Sequence, residues 1–291
     1  MKRIPAECVH RAAAVLGEGP AWDDAQQCLW WVDIERCAVH RFHPAAGEDY
    51  SWTLPHRTGF VIPTQRGDLV AGTQRGLGRF DAHTGAFALL ADPEHDLPHN
   101  RFNDAKCDAA GRLWAGTMAV SEAPGLGSLY CIDASWKIER AVERVSISNG
   151  LAWSPDDRTL YYIDSPTRRV DAFDFETETG ALSNRRTVIE IADAFPDGMC
   201  IDADGNLWVA LWHGWGVACF DPRTGRQLAR VEVPVRDVTS CCFGGEDFAD
   251  LCITTSSRDL DAAGRGEQPL AGGIFRARPG VRGLRTQRFA G

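Results

Sequence analysis

Six polar, oxygen-bearing residues stand at the head of otherwise apolar runs: Glu18, Thr58, Asn103, Asn149, Asp197 and Ser240. Gly follows directly in Glu18-Gly19, Asn149-Gly150 and Asp197-Gly198, as close approach of a neighbouring backbone requires. If these heads converge, two carboxylates and two amides share one confined space. Bare carboxylates at short range repel and raise each other's pKa, and a divalent cation relieves the conflict. Hard oxygen donors suit calcium, magnesium or manganese, and a three-ligand site with open positions also takes zinc or iron(II). The same six residues read equally well as partners for strand backbones or for ordered water.

Convergence depends on the elements that carry them. Ten or eleven residues after each polar head comes a leucine in a short apolar run behind a polar turn: Leu29, Leu69, Leu113, Leu160, Leu207 and Leu251. The contexts are CLWWVDI, GDLVAGT, GRLWAGT, RTLYYID, GNLWVAL and ADLCITT, spaced by 40, 44, 47, 47 and 44 residues. A period in the forties built from strand-like units predicts a β-propeller, here all-β with six blades and one polar head per blade on a common channel. In the fourth repeat SNGLAWS, LYYIDS, RRVDAFDFE and RRTVIEI alternate polar and apolar residues between turn-forming stretches, which favours strands over helices. The repeat predicts a single domain over residues 1–291. Residues 5–15, which precede the first inner strand, are predicted to supply the outer strand of the last blade and close the ring. The Gly-rich stretch RDLDAAGRGEQPLAGG interrupts the sixth repeat, and Arg276, Arg278, Arg282, Arg285 and Arg288 read as a solvated strand face. Trp114 and Trp208, directly after anchor leucines, read as blade core.

The net charge of −9 and the lack of a Lys/Arg run argue against a nucleic-acid partner. No run of about 18 apolar residues predicts a membrane span. The N-terminus MKRIPAECVHRAAAV lacks the apolar core of a secretory signal, so its ten cysteines point to a reducing, cytoplasmic setting. No CxxC pair occurs, and most cysteines lie in apolar strand-like runs as small buried hydrophobes. The chain has no GxSxG elbow, no GxGxxG at a helix start and no Walker loop, which excludes the corresponding serine-hydrolase, dinucleotide and ATP chemistries.

Five segments together resemble one family: LGEGPAWDD with VDIERCAVHRF, RFNDAKCDAAGRLWAGTM, SISNGLAWSPDDRTLYYIDS, FPDGMCIDADGNLWVALW, and TSCCFGGEDFADLCITT. They are similar to the senescence marker protein-30/gluconolactonase/luciferin-regenerating family over about residues 14–275. The resemblance implies a six-bladed propeller that hydrolyses a sugar lactone with one divalent cation on its axis. It puts Glu18, Asn149 and Asp197 on the metal, makes Asp197 the general base, and sets Arg101 and Asn103 at the sugar hydroxyls. Vertebrate members carry acidic residues after GTMA, where this chain has Val120 and Ser121, with Glu122 one step later as the expected sugar contact. His213 and Trp215 of LWHGWG read either as packing and surface groups or as the pocket mouth, and His99 is equally ambiguous. The expected reaction opens an aldonolactone, such as gluconolactone or a pentonolactone like xylonolactone or arabinonolactone, to its aldonic acid. The expected state is a monomer or weak oligomer. Two other functions compete: a phosphotriester or aryl-ester hydrolase on the same propeller, and a calcium-binding propeller without turnover.

Overall fold

A computed structural model describes residues 2–291. Among the described residues, strands assemble into six antiparallel sheets arranged as the blades of a propeller. The inner strands are Gly17–Asp23, Thr58–Pro63, Asn100–Cys107, Ser148–Trp153, Phe195–Ile201 and Val238–Gly244. Each anchor leucine is the first or second residue of the next strand, and none is more than 5% exposed. The fourth strand of blade four begins at Leu182, three residues before the RRTVIEI run.

Burial explains the closed ring. Six hydrophobic clusters lie not within blades but between them, each drawing on two neighbours. Trp22 and Leu29 of blade one, for example, pack with Cys242, Cys252 and Ile274 of blade six. A sheet buried on both faces needs apolar residues on both, which is why these strands alternate less strictly than half-exposed ones. Trp114 and Trp208 are buried, and their indole N–H groups donate to Asp108 and Asp202 at 2.9 and 3.0 Å. Those carboxylates also accept backbone N–H groups of the turns that follow, so one Asp organises both the turn and the core aromatic.

The N-terminal segment joins two blades. Glu7–His10 pairs antiparallel with Ile274–Ala277 as the outer strand of blade six, while Lys2–Pro5 runs parallel to Arg226–Glu232 as a fifth strand of blade five. The Gly-rich excursion contains a short helix, Ala262–Glu267, capped by the Asp261 side chain. Among the described residues no helix is long and apolar enough to cross a membrane, and all ten cysteines are unbridged.

The C-terminal arginines do not form a solvated strand face. Only Arg276 lies in a strand; Arg278, Arg282, Arg285 and Arg288 pair with Asp250, Asp247, Asp24 and Asp23 on turns of blades six and one. The tail continues through bridges Asp202–Gly283 and Thr64–Phe289, ending with Ala290 on Gly111. It therefore straps the turns at the C-terminal ends of the inner strands. The spacing of these arginines instead matches a succession of acidic residues at and beside those turns.

Candidate functional site

The inner strands all break register at their polar heads. Pairing with the second strand skips between Glu18 and Ala21, Thr58 and Phe60, Phe102 and Ala105, Asn149 and Leu151, Pro196 and Met199, and Val238 and Ser240. A bulge adds a residue to one strand and re-aims its side chain, here toward the axis. Glycines let the bulges crowd together. A Cβ on Gly59 would lie 2.4 Å from the Phe102 carbonyl oxygen and 2.5 Å from that of Asn103, and one on Gly150 would lie 2.8 Å from that of Asp197. Entry into two of these strands is fixed by buried or nearly buried carboxylates. Asp33 accepts the N–H groups of Val15 and Leu16 ahead of Glu18, and Asp164 accepts those of Ser146 and Ile147 ahead of Asn149.

Glu18, Arg101, Asn103, Glu122, Asn149 and Asp197 line a single cavity of about 380 Å³ at this end of the channel. Five of the six are nearly buried, and Glu122 sits exposed at the rim. A hydrogen-bond chain sets their orientation. Arg101 Nη1 donates to Asn103 Oδ1 at 2.5 Å, Asn103 Nδ2 to Asn149 Oδ1 at 3.1 Å, and Asn149 Nδ2 to Ser165 Oγ at 2.8 Å. Ser165 in turn donates to the Pro196 carbonyl at 2.6 Å, next to Asp197. Both amides are thereby held with a defined oxygen and nitrogen side. Glu18 Oε2 accepts from Gly19 N–H at 2.8 Å. Asp197 Oδ1 is buried with no hydrogen-bond partner.

Electrostatically the site is short of positive charge. Burial pushes the Glu18 carboxyl up, Asp104 adds to the rise, and the Gly19 N–H and Arg101 oppose it. Asp197 is raised for the same reasons: burial first, then Glu18 and Asp104. Burial also raises Asp104, against Lys106, and lowers Arg101 to about 10. A buried carboxylate oxygen without a donor costs about 1–3 kcal/mol, more when charged, unless something positive meets it. A divalent cation fits this donor set. Glu18 and Asp197 supply two negative charges, and Asn149 presents a neutral oxygen whose amide nitrogen is already engaged.

The two remaining polar heads, Thr58 and Ser240, lie in the channel wall but not in this cavity, and Ser240 lines a second one on the far side. Thr58, too, is followed by a glycine, Gly59, bringing the Gly-backed heads to four. His213 lines the cavity mouth whereas Trp215 does not, and His99 is exposed outside it. Reading from the repeat passed over Asp104, which shares its segment with the charged Lys106 and Asp108 and so does not stand out. It also passed over Ser165, Trp212, Arg258 and Asp259, which come from connecting loops and strand ends outside the inner strands.

Residues 16–257 match the model of the SMP-30/Gluconolactonase/LRE-like region. Regucalcin of Sus scrofa is 41% identical over the full length of both chains, and that of Gallus gallus 38%. Among solved structures, a luciferin-regenerating enzyme superposes with a TM-score of 0.92 at 31% identity, covering 98% of each chain. A calcium-binding protein, regucalcin, from Agrobacterium tumefaciens gives 0.94 at 28% identity, covering 100% of this chain and 99% of the other. A gluconolactonase from Xanthomonas campestris gives 0.76 at 25%, covering 93% and 88%. With its six blades, its full-length relatives and the matched region spanning every inner strand, the chain belongs to the SMP-30/gluconolactonase/LRE-like family.

Proposed function

We propose that this protein is a cation-dependent sugar lactonase that opens an aldonolactone to its aldonic acid. The observation that carries the reading is the orphaned Asp197 oxygen, set with Glu18 and Asn149 beside the Arg101–Asn103 pair in one cavity. Water adds to the ring carbonyl, the bond from that carbon to the ring oxygen breaks, and the ring oxygen leaves as a hydroxyl. The product acid ionises and releases one proton per turnover. Glu18, Asn149 and Asp197 would hold a divalent cation, which when bound would supply Lewis acidity at the carbonyl and offset negative charge developing on its oxygen.

The remaining roles belong to the chain. Asp197 orients the attacking water and accepts its proton, held nearly buried in the cavity wall between Asn149 and Glu18. Arg101 and Asn103, already fixed by their mutual hydrogen bond, orient the sugar hydroxyls and lower the entropic cost of reaching the reactive geometry. Glu122 contacts the sugar from the rim. The low exposure of Arg101, Asn103 and Asp197 limits water to what the cavity admits.

Acid release from a panel of hexono- and pentonolactones, with chelated protein re-supplied with calcium, magnesium, manganese, zinc or iron(II) in turn, tests the reading. Activity that is lost on chelation and restored by a cation is expected. The Agrobacterium relative, a calcium-binding protein, favours a second reading, a cation-binding propeller without turnover. Cation binding with no hydrolysis of any lactone would establish that one instead.

A further inference from the structure

An ion pair spans the mouth of the cavity. Glu122 follows the second strand of blade three, Arg258 follows that of blade six, and in a six-membered ring these blades face each other. Arg258 Nη2 donates to Glu122 Oε1 at 3.0 Å, and its Nε donates to Asp259 at 3.3 Å. The guanidinium lies 5.3 Å from the centroid of the Trp212 ring. Its loop is anchored: Ser256 Oγ donates to Val15 O and Ser257 Oγ to Ala14 O, both at 2.8 Å. Glu122 sits at φ +60°, a conformation uncommon for a residue with a Cβ, in an exposed turn. Arg258 is thus the fixed partner and Glu122 the accessible one.

We propose that the Glu122–Arg258 pair is a charge filter, making Arg258 a specificity-determining residue that keeps the site for neutral lactones. The proposal rests on the lactonase reading above. At the rim one guanidinium serves two carboxylates, Glu122 and Asp259, while Asp237 beneath them is already matched by Arg236. The local balance is therefore negative. A neutral polyol exchanges hydrogen bonds one for one, its hydroxyls donating to Glu122 and accepting from Arg258. A lactone with a free carboxylate on its exocyclic carbon has no open cation there and meets two like charges.

The test compares kcat/KM for a neutral aldonolactone and for an aldaric monolactone, which keeps such a carboxylate. Glu122→Gln frees Arg258 and should shift the ratio toward the anionic substrate by about fivefold or more. Arg258→Gln leaves both acids unbalanced and should shift it the other way, and the double variant should move back toward wild type. High salt should shrink each shift. Ratios within twofold of wild type in both single variants would overturn the filter. Wild-type protein that hydrolyses neither lactone would instead count against the lactonase reading. The filter is then read by calorimetric titration of the calcium-loaded wild type and variants with a neutral hexitol and a hexuronate. The same opposite shifts in relative affinity support it, and their absence refutes it.

Discussion

Replacing Asp197 by Asn should make the cation-free protein more stable while removing its response to the cation. In wild type, Asp197 and Glu18 are 7% and 6% exposed, Asp104 is close enough to raise both, and Asp197 Oδ1 has no donor. An acid whose pKa is raised by folding costs stability that grows as pH rises from the unfolded value toward the folded one. The Asn variant should therefore match wild type in chelator only at or below the unfolded value, near pH 4. Near pH 8 it should exceed wild type by about 2 kcal/mol, the order of one unpaired buried polar or charged group. A ligand at a hundred times its Kd adds about 2.7 kcal/mol to the folded state. At about 2 °C per kcal/mol for a chain of this size, the cation should raise the wild-type Tm by about 5 °C. The variant, having lost one of three ligands, should gain little. Calorimetric or fluorescence melting at two pH values, with chelator and with each cation, reads all of this. An Asn variant that is less stable than wild type in chelator at pH 8, or that gains as many degrees from the cation, would refute the reasoning.

Gly59→Ala should cost about 1–3 kcal/mol by overpacking, since its Cβ would meet two carbonyl oxygens of blade three. It should also lower lactone hydrolysis by displacing Asn103, so denaturant midpoints and activity should fall together. Phe289→Ala should cost about 3–5 kcal/mol, because this fully buried ring stacks edge-on against Trp136 at 5.3 Å and anchors the C-terminal strap; urea unfolding checks the loss. At the blade six to blade one closure, burial opposes ionisation of Asp49, but hydrogen bonds with His10 and His40 prevail and hold its carboxyl at about 2. The resulting stability is present above the unfolded value near 3.9 and lost as pH falls toward 2. Wild type should thus lead Asp49→Asn in urea midpoint at pH 5, and the lead should vanish near pH 2.

Much of the channel could be read from the chain because a repeat converts position in sequence into position on a ring. The leucine spacing located the six inner strands, and the polar heads Glu18, Asn103, Asn149 and Asp197 fall where a polar side chain has no place in an ordinary buried strand. Arg101 was reached only through the family resemblance, since nothing in the period distinguishes it from a strand-edge arginine. Asp104 does not stand out by its charge, because Lys106 and Asp108 in the same segment are charged as well. Arg258 carries no mark either, because loops that leave the blades do not repeat.

Sequence alone determined the blade count, the strand pattern and the polar head of each inner strand, all consequences of local periodicity and burial. Tertiary structure decided the rest: the orientation of each amide through the Arg101–Asn103–Asn149–Ser165 chain, the Asp197 oxygen left without a donor, and the bulge that turns every head inward. It also decided that the C-terminal arginines strap acidic turns and that Glu122 meets Arg258 across the mouth. The Arg285–Asp24, Arg288–Asp23 and Glu122–Arg258 pairs join residues more than a hundred positions apart, and only closing the ring fixes which distant side chains meet.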